Sequence, residues 1–221
     1  MQGEFEEVFE AIIRMFGGRI MAKSNKLALT DDNMKLTSSE KEKSSISLTS
    51  TEKDRFVYLN GLIDEEKSKD IIEKLLELQS KDPLEEITII INSIGGEIYS
   101  MFAIIDIMDI LLPPIRTISL GLSASASAFI FICGTIGRRF MTKHSSLMLH
   151  QASGGTHGTV KDIDVTVREI KYLQSQVVEG IANRSKLTIE EIKELTDRDF
   201  YIRPEKAIEF GLCDGIIERL S

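Results

Sequence analysis

From about Phe56 onward, runs of consecutive apolar residues alternate with longer stretches in which apolar residues recur every three or four positions. The first pattern reads as strand and the second as helix. Residues 56–59 form a predicted strand. Residues 65–80 form an amphipathic helix with Ile71, Ile72, Leu75, Leu76 and Leu78 on its buried side. Residues 87–91 are a continuous β-branched run, as expected of a strand covered on both faces. A helix follows over 97–112, stopped by Pro113 and Pro114, then a strand over 115–120 and a buried helix over 125–133. Further strands are predicted at 139–141 and 146–150. From about 160 to 185, Ile163, Val167, Ile170, Leu173, Val177, Val178 and Ile181 keep helical spacing. That helix is long enough to project from the core onto another subunit. Short helices over 189–195 and 204–210 close the chain, with Gly211 as a C-cap. Repeated strand–helix units predict an α/β fold with a largely parallel sheet and right-handed crossovers.

The first 53 residues differ from this body. Phe5, Val8, Phe9, Ile12, Ile13 and Phe16 give residues 4–16 one apolar helical face, expected to be covered within an oligomer. Residues 23–53 are rich in Ser, Thr, Lys and Glu and are expected to be mobile or only locally ordered. The division is therefore a front segment, 1–53, and one domain, 54–221.

Composition narrows the function. A net charge of −8 argues against nucleic acid, which calls for a basic footprint. Cys133 and Cys213 sit in apolar settings and read as buried free thiols in a reducing compartment. Glu4, Glu6 and Glu7 stand where a secretory signal would be basic, so a cytoplasmic setting is expected. Residues 117–137 carry no charge and are long enough for a bilayer. Their four serines, two threonines and three glycines fit a buried strand, a turn and a buried helix better.

The chemistry lies in two turns and two later residues. Ile91-Asn92-Ser93-Ile94-Gly95-Gly96 lies between a strand and a helix, and so does Gly121-Leu122-Ser123-Ala124-Ser125-Ala126-Ser127. Turns of this kind at adjacent strand ends can each lend a backbone N–H to an oxyanion. Ser123, Ser125 and Ser127 are equal candidates for a nucleophile on this ground. Downstream come His150 and the pair Asp197 and Asp199, giving the order Ser, His, Asp. A serine hydroxyl needs a hydrogen-bonded base, and the base needs an acid to fix its tautomer. His144, in a polar turn, and His157, in a glycine-rich loop, compete weakly with His150.

These stretches, with Gly154-Gly155, Thr196-Asp197-Arg198-Asp199 and Pro204-Glu205-Lys206-Ala207, closely resemble the proteolytic subunit of the Clp protease (ClpP). They occur in its order and spacing from about residue 54 to the C-terminus. The resemblance implies a ClpP/crotonase-like fold of repeated strand-strand-helix units, with a projecting long helix for ring–ring contact. It places Ser125 as nucleophile, His150 as general base and Asp199 as the third triad member. The backbone N–H groups of Gly96 and Ala126 become the oxyanion donors, and no metal is implied. It further implies a serine endopeptidase that cleaves extended or unfolded polypeptides through an acyl-enzyme. Two stacked seven-membered rings would meet through residues 154–185, a glycine-rich strand and the long helix. No cofactor is implied for this chain, since ATP would be used by a partner unfoldase.

The resemblance leaves other outcomes open: a virus capsid-maturation protease of the same fold, a non-catalytic ring subunit, or a crotonase-type acyl-CoA enzyme. Ile94 and Ala152 replace prolines common in the family, which predicts looser loops beside the site. Thr88 and Ile90 stand where bacterial members often carry aromatics that help dock the ATPase.

Overall fold

The apolar run at Ile87–Ile91 becomes the middle of a sheet. In a computed structural model that describes residues 55–219, β2 (Ile87–Gly96) lies between β1 (Phe56–Ile63) and β3 (Ile115–Ala124), parallel to both. The front segment 1–53, with its expected helix, lies outside the described residues. Helix α1 (Glu65–Lys81) connects β1 to β2, and α2 (Ile98–Ile110) connects β2 to β3. Asp64 caps α1 by accepting from the Lys67 N–H at 2.8 Å. Ile71, Leu75 and Leu78 are the face of α1 that is buried.

Strand β3 is shared along its length. Its first half pairs with β4 (Arg139–Met141) and its second half with β5 (Ser146–Leu149), both parallel. β5 then pairs antiparallel with β6 (Phe200–Ile202), and β4 pairs with β7 (Gly215–Ile216). The α/β architecture and its largely parallel sheet agree with the pattern of apolar positions.

Three strands run further than their apolar runs predict: β1 to Ile63, β2 through Gly96 and β3 to Ala124. Backbone pairing continues across polar residues and glycines, as in Asn60 opposite Asn92, Ser93 opposite Ser123 and Ile63 opposite Gly96. The two expected turns are thus mostly strand, each with a register shift. β6 and β7, of three and two residues, are too short for any periodicity to show. Residues 154–158 carry no strand assignment within the single chain.

The charge-free stretch 117–137 divides between β3 and α3 (Ala126–Ile132), a seven-residue helix buried at every position. Among the described residues no helix is long and apolar enough to cross a membrane. The core joins α3 to the inward faces of β1 and β2, with Leu59, Ile89, Ile91 and Phe131 inaccessible to solvent.

Helix α4 (Val160–Asn183) opens with a reciprocal Thr159–Asp162 capping box and buries only Leu173, Val178 and Ile181. Its first half stays exposed, Val160 at 75 % and Val165 at 58 %, so that half projects as its length implies. Two short helices complete the chain, α5 (Ile189–Leu195) and α6 (Pro204–Glu209).

One buried ion pair locks the sheet edge. Arg139, 3 % exposed on β4, donates from Nε and Nη2 to the two carboxylate oxygens of Asp214 at 2.9 and 2.7 Å. It also donates to the carbonyls of Arg184 (2.7 Å) and Gly211 (2.9 Å). One guanidinium therefore ties β4 to the ends of α4 and α6.

Candidate active site

The site forms where β2, β3 and β5 end together. Ser125 occupies the single residue between β3 and α3, at φ 54° and ψ −122°. It is the only non-glycine residue with positive φ among those described. An L side chain resists that conformation, so the surroundings must hold it. The Ser125 N–H donates to the Met148 carbonyl at 2.8 Å, and its carbonyl accepts from Ala128 and Phe129 at 3.0 and 3.2 Å. A strand-to-helix turn this sharp thrusts the side chain away from the backbone.

The three candidate serines now differ. The Ser123 and Ser119 hydroxyls lie 2.8 Å apart in the core, both inaccessible. The Ser127 hydroxyl accepts from the Ala124 N–H and faces the Ser93 and Ala124 carbonyls, each at 2.8 Å. Both are internal staples. Ser125 is half-buried, with its Oγ 2.7 Å from His150 Nε2.

His150 follows directly on β5, and its Nδ1 faces Asp199 Oδ1 at 3.6 Å. That spacing is longer than a made hydrogen bond, and the Asp199 side chain is 61 % exposed. Asp199 precedes β6, so the antiparallel β5–β6 pairing sets its distance from the histidine. Gln151 anchors the same junction, its N–H donating to the Thr196 carbonyl at 2.8 Å and its side-chain amide to the Asp197 carbonyl at 3.1 Å. Asp197 thus contributes its carbonyl to the turn, and its own carboxylate lies only loosely beside Arg198 at 3.9 Å. His144 and His157 stand on exposed loop positions.

Gly95 and Gly96 are required by close approach. A Cβ on Gly95, at φ +93°, would meet the Ala124 carbonyl oxygen at 2.6 Å and Ser125 Cβ at 2.8 Å. A Cβ on Gly96 would meet the Ile63 carbonyl oxygen at 2.0 Å. Only bare backbone fits between β1 and the serine turn. Gly96→Ala is expected to separate β1 from β2 and lower stability by about 3 kcal/mol or more, a clash no rotamer can relieve. Its urea unfolding midpoint checks this.

Gly96 and Ala126 line the same pocket as Ser125 and His150. The pocket has a volume of about 230 Å³ and a mainly apolar wall that includes Met101, Phe129, Leu149, Leu173 and Val177. Phe129 is held edge-on by Phe102, ring centroids 6.3 Å apart.

Side chains hold the backbone at or beside both replaced prolines. The Ala152 N–H donates to Gln174 Oε1 at 2.6 Å, a bond proline could not make, and it ties the histidine segment to α4. Beside Ile94, the Ser93 hydroxyl donates to the Gly61 carbonyl at 2.5 Å and accepts from the Gly95 N–H at 3.0 Å. Gln174 and Ser93 were not singled out from sequence, because a glutamine on a helix and a serine in a strand carry no pattern of their own. The cysteines lie away from this chemistry. Burial pushes the Cys133 thiol up to about 12, and burial likewise raises Cys213, so both are neutral thiols.

A description of the Clp protease family matches residues 39–220. The ATP-dependent Clp protease proteolytic subunit 1 of Prochlorococcus marinus (strain MIT 9312) is 37 % identical over 167 residues, covering 76 % of this chain and 86 % of that protein. Proteolytic subunit 2 of Parasynechococcus marenigrum (strain WH8102) is 34 % identical over 167 residues, covering 76 % and 85 %. The chain belongs to the Clp protease family. As a member it is a serine-type peptidase, and the α/β sheet with its flanking helices is the family's fold.

Proposed function

We propose that this Clp protease family chain cleaves peptide bonds of extended or unfolded polypeptides through an acyl-enzyme on Ser125. The 2.7 Å approach of Ser125 Oγ to His150 Nε2 carries the reading. His150 takes the hydroxyl proton as the oxygen attacks the scissile carbonyl, then returns it to the leaving amine. Water next attacks the serine ester with His150 again as base, which releases the acid and regenerates the hydroxyl. Asp199 stabilises the imidazolium, and the backbone N–H groups of Gly96 and Ala126 receive the oxyanion. No cofactor enters these steps.

The family relationship and the exposed Val160, Ile163, Val165 and Val167 on the first half of α4 support assembly into stacked seven-membered rings. The relatives' description as ATP-dependent supports an unfoldase partner that consumes the ATP. Two buried free thiols support a reducing, cytoplasmic setting.

The test is intact mass after treatment with a fluorophosphonate, with peptide mapping. One adduct on Ser125, lost in His150→Ala, is the expected result. An assembled protein that takes no adduct would refute the catalytic reading, and a species of monomer mass at every concentration would refute the rings.

A further inference from the structure

The wall of the pocket beside Ser125 is apolar or uncharged at every position except one acid, Glu97, and the histidine itself. Glu97 directly follows Gly96, the proposed oxyanion donor, and precedes α2. It is exposed, whereas Met101, Phe129 and Leu149 on the pocket wall are buried, so the acid stands at the rim and the apolar groups form the interior.

The Glu97 backbone is fixed, since its N–H donates to the Ile63 carbonyl at 2.8 Å. Its carboxylate accepts one neutral hydrogen bond, from the Ser100 hydroxyl at 3.1 Å. Among the described residues it forms no ion pair. The neighbouring acid Glu169 is engaged differently, accepting from the Tyr99 hydroxyl at 2.6 Å. A carboxylate on a fixed main chain at the rim of an apolar pocket, with no cation of its own among the described residues, is matched to a cation brought by the substrate.

We propose that Glu97 is a specificity-determining residue that selects Lys or Arg next to the residue whose apolar side chain fills the pocket. This inference rests on the peptidase reading above. The apolar interior takes an aliphatic or aromatic side chain. The adjacent long cationic side chain lays its methylenes along the rim and brings its charge to the carboxylate. An ion pair at an exposed rim contributes little absolute affinity, but it separates a cationic from a neutral side chain by about fivefold. Salt weakens it, since the screening length falls from about 10 Å at 0.1 M to about 3 Å at 1 M.

The experiment uses the full chain and fluorogenic peptides with one fixed apolar residue at the cleavage point. In matched pairs, each flanking position carries Lys or Gln. The readout is the kcat/KM ratio of Lys to Gln peptides within each protein. That ratio is insensitive to any general effect of Glu97 on α2. At one flanking position the ratio is expected to be about 5 at low salt, to fall towards 1 at high salt and in Glu97→Gln, and to drop below 1 in Glu97→Lys. A ratio near 1 at every position in the unsubstituted chain, or one unchanged in both variants, overturns the charge selection while leaving the peptidase reading intact. If no peptide is cleaved and no fluorophosphonate adduct forms on Ser125, the peptidase reading itself fails and the inference falls with it.

Discussion

Ser125→Ala is expected to lower kcat for peptide hydrolysis by about 10⁶-fold, and His150→Ala by a similar factor. The two residues act as one unit, so the double variant should be no slower than either single one. Removing one oxygen takes the only hydrogen bond found between the two side chains and leaves the backbone bonds of the turn in place. Thermal stability should therefore stay within about 1 kcal/mol of the unsubstituted chain, or rise, since alanine has less to lose by burial. Asp199→Asn should cost less, at most about 10⁴-fold, because the acid reaches His150 at 3.6 Å and is largely solvated. Single-turnover assays of the three variants beside circular dichroism check this order. An Asp199 variant as slow as the Ser125 variant would mean that the carboxylate closes onto the ring during catalysis.

The second large effect is structural and lies at the sheet edge. Asp214→Ala is expected to destabilise the domain by about 3–5 kcal/mol, since it leaves the Arg139 guanidinium buried without its counter-charge. Replacing the arginine as well, Arg139→Met with Asp214→Ala, should recover part of the loss, because no unpaired charge then remains inside. The same pair predicts acid sensitivity. Burial alone would raise the Asp214 pKa, but the donations from the Arg139 side chain and backbone and from the Gly137 N–H outweigh it and hold the carboxyl below its usual 3.8. A lowered carboxylate contributes fully above the unfolded value, here about pH 4, and loses its contribution as the pH falls towards the folded value. Urea midpoints from pH 6 to pH 3 should fall more steeply for the unsubstituted chain than for Asp214→Asn. Parallel curves would show that the pair does not set the acid limit.

The residues differ in how far they could be read in advance, and the physics explains why. Helix α1 and the run Ile87–Ile91 were legible because burial acts on side chains, and side chains are what the sequence spells out. The strand ends at Gly96 and Ala124 were not, because they are held by N–H and C=O groups that every residue shares. The order Ser, His, Asp was visible, but pattern alone left three serines equal. Burial separates them, with Ser123 and Ser127 inaccessible and Ser125 open to His150. The tie from Ala152 to Gln174 spans 22 positions and exists only once α4 is folded back, so no local spacing could announce it.

The main-chain framing of the site also bears on how such a chain can diverge. Ser125 is fixed through the Met148 carbonyl and Gln151 through the Thr196 carbonyl, each by an N–H that nineteen of the twenty amino acids would not alter in kind. Lineages can therefore drift at most flanking side chains and keep the alignment of nucleophile and base, which fits relatives that share about a third of their residues. Beyond the catalytic side chains themselves, the changes this framing forbids are few: proline at 151, or any side chain at 95 or 96. Selection on this site should be concentrated at a few backbone-limited positions, with wide neutrality around them.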